Sequence, residues 1–149
     1  MRHVYYQAAG GVVIHAGKIL LLDRPGRSEV RLPKGHVEDG ESALEAALRE
    51  VCEEAGYVHL VIVADLGTQQ VEFTDSYRER RVTRDERYFL MRLRDEERVE
   101  RDEKEKQFIP TWVPATDAAG RLTFEAEQEF VRRALRWIEA HGLPDHAAE

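Results

Sequence analysis

The segment from Leu32 to Tyr57, LPKGHVEDGESALEAALREVCEEAGY, limits the possible folds more than any other. It holds a helix whose two ends are marked and whose faces differ sharply in character. Ser42 stands where an N-terminal cap is expected, and Gly56 where a left-handed residue closes the last turn. Between them Leu44, Ala47, Leu48, Val51 and Ala55 recur at helical spacing and are expected to form the buried stripe. Seven carboxylates, six Glu and one Asp, share the segment with three glycines. Glu50, Glu53 and Glu54 fall at i, i+3 and i+4, so they crowd one face. Arg49 sits four residues from both Glu45 and Glu53 and can pair with either. An exposed, partly compensated surface would explain this face. So would a divalent-cation site, because carboxylates and backbone carbonyls are the hard donors that Mg²⁺ and Mn²⁺ prefer. The loop LPKGHVEDG brings such carbonyls, and Lys34, to the start of the same helix.

The flanking sequence predicts what this helix packs on. AAGGVVIH and KILLLDR are apolar runs joined by Ala16-Gly17, a hairpin pattern. VHLVIVADLGTQQVEF and RYFLMRL read as further strands separated by an Arg-rich connection, and FIPTWVP as a short strand bounded by prolines. Phe124 to His141 reads as a second amphipathic helix with Phe130, Ala134, Leu135 and Ile138 inward, and GLPDHAAE (142–149) as a frayed tail. Strands on both sides of one helix, with another helix at the end, predict a mixed α/β domain with helices packed on a sheet. A length of 149 residues suits one domain with its own core.

Charge and composition narrow the function. A formal net charge of −7 argues against a nucleic-acid polymer as partner. A phosphorylated small molecule is compatible with it if metal ions or a local Arg and Lys cluster offset the repulsion. No run approaches the ~18 apolar residues of a membrane span. The opening MRHVYYQAAGGVVIHAGKILLL alternates like strands and is interrupted by Gln7, His15 and Lys18, which argues against a signal peptide. The single cysteine, Cys52, excludes an internal disulfide, fits a reducing cytoplasm and reads as helix filler.

From Gly35 the sequence runs as glycine, five residues, Glu41, seven residues, then Arg49-Glu50-Val51-Cys52-Glu53-Glu54-Ala55-Gly56-Tyr57. This resembles the signature of the Nudix hydrolases, G-x5-E-x7-R-E-U-x-E-E-x-G-U with U bulky and apolar. All seven fixed letters match, which chance would produce in this composition with a probability on the order of 10⁻⁵. AAGGVVI and ILLLDR are similar to the family's opening strands, and the region after Leu93 matches more loosely. The resemblance implies an α/β/α sandwich around a mixed β-sheet. It also implies attack of water on a phosphorus of a nucleoside diphosphate linked to a second group. Glu50, Glu53 and Glu54 would hold Mg²⁺ or Mn²⁺ with a backbone carbonyl of Lys34 or Gly35. Arg49 would orient one of those glutamates, and Glu41 would brace the loop–helix junction. A carboxylate must also take the proton of the attacking water, in the box or on a distant loop. EERVERDEKEKQF lies where relatives place an extra acid that reaches the metals, with Glu105 the first choice and Glu103 the second.

LPKGHVEDGES resembles the PKGH-x-E-x-GE form of the diadenosine polyphosphate hydrolase branch, in which the matching Lys34 and His36 approach the phosphates. Val30 stands where that branch carries an aromatic. RYFLMR resembles a strand supplying an aromatic near the base, which singles out Tyr88, with core packing as the alternative. YRERRVTRDER, Tyr77 to Arg87, sets five arginines against three acids and is either a solvated hairpin tip or a phosphate-steering arm. The expected protein is a cytoplasmic, Mg²⁺- or Mn²⁺-dependent hydrolase of dinucleoside polyphosphates, monomeric or homodimeric. The alternatives are a nucleoside triphosphate pyrophosphohydrolase of the nucleotide-pool-cleaning type and a non-catalytic nucleotide-binding module. The intact Glu50, Glu53 and Glu54 argue against the last.

Overall fold

The computed structural model describes residues 1–144. The expected hairpin forms: β1 (Arg2–His15) and β2 (Lys18–Arg24) place Ile14 opposite Ile19 and His15 opposite Lys18. Ala16 and Gly17 have φ of 50° and 76°. That two-residue, positive-φ turn matches the twist of the strands it joins. The chain continues through β3 (Glu29–Arg31), β4 (Lys34–His36), α1 (Ala43–Ala55), β5 (Leu60–Asp75), β6 (Arg80–Leu93), β7 (Ile109–Pro114), α2 (Ala115–Arg121) and α3 (Glu125–His141). The sheet is ordered β3-β2-β1-β6-β5, with β4 paired to β1 and β7 to β2. β1 and β6 run parallel from Arg2 beside Arg80 to Ile14 beside Arg92, and the other strand pairs are antiparallel. The expected mixed sheet is therefore present.

Strand alternation divides the interior in two. On one face Val12, Ile14, Ile19, Leu21, Tyr88 and Leu90 pack with Ala118 of α2 and Phe130, Val131 and Ala134 of α3. On the other, Ala9, Val13, Leu20, Leu22, Phe89 and Met91 pack with Ala46, Ala47, Val51 and Ala55 of α1. Helices cover both faces, giving the expected α/β/α sandwich. α1 is closed by a full capping box: the Ser42 hydroxyl accepts from the Glu45 N–H at 3.1 Å, and the Glu45 carboxylate accepts from the Ser42 N–H at 2.9 Å.

Several expectations change. Leu44 lies 38% exposed in the first turn of α1, and Ala46 takes its place in the stripe. Methyl-sized side chains at 46, 47 and 55 let the helix lie close to the sheet, and Leu48 is half-buried at the edge of the contact. The Lys34–His36 part of the presumed loop is a strand, because its backbone completes the ladder along Ala8–Gly10. Most of the Arg-rich connection is also strand: only residues 76–79 turn, and Arg80 to Arg87 belong to β6. β3 and α2 were not legible, being short and without periodicity. Of the expected frayed tail, residues 142 and 143 are exposed and Pro144 is buried, and residues 145–149 lie outside the described residues.

Gly10 is a tight point on the β1 side of the β1–β4 ladder. A Cβ there would overlap the Pro33 carbonyl oxygen, the Lys34 Cβ and the Tyr88 ring. Gly10→Ala should therefore destabilise by about 1–3 kcal/mol, as overpacking does. At roughly 2–4 °C per kcal/mol the loss is measurable as a lower Tm by calorimetry.

Candidate active site

β4 is where the site is assembled. Successive side chains of a strand point to opposite faces. Lys34 and His36 accordingly line a cleft on the α3 side, and Gly35 faces α1. A Cβ on Gly35 would overlap the Glu50 carboxyl group, so only glycine lets that carboxylate lie against the strand. The Lys34 N–H donates to Glu54 Oε1 at 2.7 Å, fixing a second carboxylate of the box to the same strand.

Arg49 spans the junction. Its Nε and Nη2 donate to the two oxygens of Glu41 at 2.7 and 2.9 Å, a bidentate pair. Nη1 donates to Glu50 Oε1 at 2.7 Å and reaches Glu53 at 3.3 Å, and Nη2 also donates to the His36 carbonyl at 2.9 Å. The Arg49 hydrogen bonds hold the Glu41 carboxyl down at about 2, and a further bond from the Glu38 N–H helps.

The other carboxyls are pushed the opposite way. Burial, and then the neighbouring charge of Glu50, raises Glu54 to about 8 despite its bond from Lys34. Burial also raises Glu50, outweighing its bond from Arg49, with Glu53 and Glu105 adding to the effect. Glu105 lies in a 3₁₀ turn, Glu103–Gln107, close enough to act on both Glu50 and Glu54. Its Oε2 is buried without a hydrogen-bond partner. Glu103 points away, almost wholly exposed and paired with Lys106 at 3.2 Å. Arg101 sets this arrangement: its Nη1 donates to the carbonyls of Glu54, Glu105 and Phe108 at 3.0, 3.0 and 2.8 Å. Nothing distinguished Arg101 from its charged neighbours in the sequence.

This donor set fits a hard divalent cation. The charges of Glu50 and Glu105 raise Glu54, those of Glu53 and Glu105 raise Glu50, and Glu53 itself sits exposed at the rim. Their oxygens do not all converge within 4.8 Å; among the described residues, His59, Asp95 and Glu97 do so. That trio is exposed, contains no box residue, and His59 Nδ1 is already bonded to Asp95 at 2.7 Å.

The cleft on the other side of β4 encloses about 1040 Å³. Arg27, Arg31, Arg78, Arg80 and Arg84 line it with Lys34, His36 and the aromatic rings of Tyr6, Phe73, Tyr77 and Phe124. Of the five arginines from Tyr77 to Arg87, Arg78, Arg80 and Arg84 thus belong to the cleft wall, and Arg81 and Arg87 do not. His36 stacks on Tyr6 at 3.9 Å, and burial followed by the charge of Arg84 lowers its pKa. Lys34 is no solvated tip: it is 7% exposed, and its Nζ lies 3.8 Å from Glu127. Tyr88 is a correction. It is fully buried against Phe130 at 4.3 Å in the α3-side core and does not line the cleft, so it offers no ring to a substrate. Glu127, missed in the sequence because its helix face reads as apolar, accepts from the Leu32 N–H at 2.6 Å and is 2% exposed.

The raised Glu54 carboxyl makes stability depend on pH. Its folded pKa of about 8 lies above the ordinary 4.5, so the folded chain binds the extra proton between those values. Stability is then present at low pH and is lost as pH rises toward 8. In EDTA, Tm should fall over that window. Glu54→Gln, which keeps the acceptor for Lys34 but never ionises, should flatten the fall; an unchanged slope would remove Glu54 as its source.

Comparison with known proteins agrees with this geometry. The family model described as NUDIX domain matches residues 5–138. A Mycobacterium tuberculosis protein provisionally designated mutator protein MutT4 is 35% identical over 150 residues, covering 93% of this chain and 58% of its own length. Nudix hydrolase 12, mitochondrial, of Arabidopsis thaliana is 28% identical over 122 residues, covering 82% of this chain and 60% of its own. The chain therefore spans about three fifths of those curated relatives. Among solved structures, a C. elegans Ap4A hydrolase binary complex superposes with TM-score 0.68 at 22% identity, covering 91% of this chain and 98% of the other. The E. coli dihydroneopterin triphosphate pyrophosphohydrolase does so with TM-score 0.66 at 22% identity, covering 87% and 96%. At that identity the likeness speaks for the fold. With the family model matched over most of its length and the signature intact from Gly35 to Tyr57, the chain belongs to the NUDIX domain family.

Proposed function

We propose that this protein is a divalent-cation-dependent Nudix pyrophosphohydrolase, one domain over residues 1–149, acting on dinucleoside polyphosphates such as diadenosine tetraphosphate in the cytoplasm. The observation that carries the reading is the two-sided role of β4. One face holds Glu50 and Glu54 together, and the other opens on a cleft where five arginines and Lys34 stand among an equal number of carboxylates. Among the described residues no helix is long and apolar enough to cross a membrane. Glu50, Glu53 and Glu54, with the backbone carbonyl of Lys34 or Gly35 and with Glu105 as a further carboxylate, would hold Mg²⁺ or Mn²⁺. Bound there, the cation supplies charge stabilisation at the phosphoryl oxygens. Arg49 keeps Glu50 and Glu53 oriented, and Glu53, the most exposed of the box carboxylates, is placed to take the proton of the attacking water. His36 and the cleft arginines attract the phosphate chain.

A second reading, pyrophosphohydrolysis of a mononucleoside triphosphate, is favoured by Lys34. Its Nζ is held beside Glu127 and is less available to a long phosphate chain than a free lysine. The E. coli structural neighbour bears the name of a triphosphate pyrophosphohydrolase.

Hydrolysis should stop in excess EDTA and return with Mg²⁺ or Mn²⁺; full activity in chelator would end the hydrolase reading. Substrate choice is checked by kcat/KM for diadenosine tetraphosphate against mononucleoside triphosphates, with Lys34→Ala as the probe. A lost charge-assisted contact costs roughly 1.5–3 kcal/mol. That loss should appear on the longer substrate more than on a triphosphate. Equal losses on both would favour the second reading.

A further inference from the structure

The inner end of the cleft differs from its rim. β6 places Arg84 and Glu86 on one face, and both line the cleft. β1 sets Tyr6 beside Arg84 and the small Ala8 beside Glu86, which leaves room above the acid. Glu86 is 1% exposed; one oxygen pairs with Arg84 at 2.7 Å, and the other, Oε1, has no hydrogen-bond partner. Glu127 enters from α3 with one oxygen on the Leu32 N–H and the other 3.8 Å from Lys34 Nζ. Beside them Arg84 Nε and Arg31 Nε are also buried and unpartnered, and both residues line the cleft. Unmet buried polar groups are costly, so such a set marks a place where a ligand completes the bonding.

The chemistry of the set narrows the ligand. A phosphate offers acceptors alone and would be repelled by Glu86 Oε1. A free cation would meet Lys34, Arg31 and Arg84 as well as the two acids. A neutral planar ring whose edge carries both N–H donors and acceptors satisfies the whole set. The walls suit a ring: Tyr6, Phe73 and Phe124 stand around the floor. Two adjacent donors facing two carboxylates, with acceptors toward arginine, describe the edge of guanine.

We propose that Glu86 and Glu127 form a nucleobase subsite that selects a guanine-type edge, an amino group beside a ring N–H. The inference rests on the hydrolase reading but replaces adenosine in its example substrate: the half seated in the cleft then carries guanosine in preference to adenosine or inosine.

The test uses the unaltered protein first. GMP and IMP differ only by the amino group, and neither contains the phosphoanhydride that the proposed reaction breaks. Calorimetry in EDTA reads their affinities without turnover. GMP should bind roughly tenfold to a hundredfold tighter than IMP, the loss expected when a charged acceptor goes unmet. AMP, which turns a lone pair toward a carboxylate, should bind more weakly than GMP. Glu86→Gln should bring GMP and IMP within about threefold, well under that hydrogen-bond loss. Equal affinity of the unaltered protein for GMP and IMP, or no measurable binding of either, overturns the subsite. Should Glu86→Gln fail to fold, the GMP and IMP comparison on the native chain still decides. The kcat/KM ratio for GTP over ITP with Mg²⁺ separates the two readings. A GMP preference without any hydrolysis sinks the hydrolase reading alone, and hydrolysis with a GTP to ITP ratio near one sinks the subsite alone.

Discussion

Arg49 ties together parts of the chain that would otherwise drift apart. Its planar fork grips Glu41 at two points, holds Glu50 with the remaining nitrogen and meets the carbonyl of His36. A lysine could satisfy one of these partners but lacks the fixed geometry to serve three directions at once. Because Glu41 precedes the helix, Glu50 lies within it and His36 ends β4, this single cation sets the angle at which α1 meets the sheet. It also offsets part of the repulsion among the box carboxylates. Glu54 is governed by burial first and the charge of Glu50 second, which together push its pKa up to about 8.

The second constraint is the pleat of a three-residue strand. β4 is too short to contribute much stability, yet its alternation separates two chemistries by the thickness of one backbone. Gly35 admits the Glu50 carboxylate on the α1 side, and Lys34 and His36 project into the cleft on the other. β1 makes this possible with Ala8, Ala9 and Gly10 along the paired edge, where larger side chains would fill the space that β4, Tyr88 and Glu86 occupy. The opening run AAGG thus serves the site as well as the core.

Much of this was legible in the chain. The box spacing located Glu50, Glu53, Glu54 and Arg49 because local helix geometry alone decides which side chains share a face. The hairpin, the capped helix and the outline of a mixed sheet followed from patterns spanning a few residues. Glu105 and Glu103 were both open to sequence reasoning; the 3₁₀ turn sets Glu105 near Glu50 and Glu54 and leaves Glu103 exposed beside Lys106. What the sequence by itself determined is therefore the local inventory: the helix, its charged face and the family signature. What tertiary structure decided is every feature that depends on residues distant in the chain. Tyr88 went to the core because α3 brings Phe130 over it, and Lys34 became buried because the same helix delivers Glu127. Arg80 and Arg84 of β6 became part of a cleft wall because Tyr6 of β1, Lys34 and His36 of β4 and the Val71–Asp75 end of β5 line the same space. Burial and pairing of charge are set by packing partners that no local pattern names.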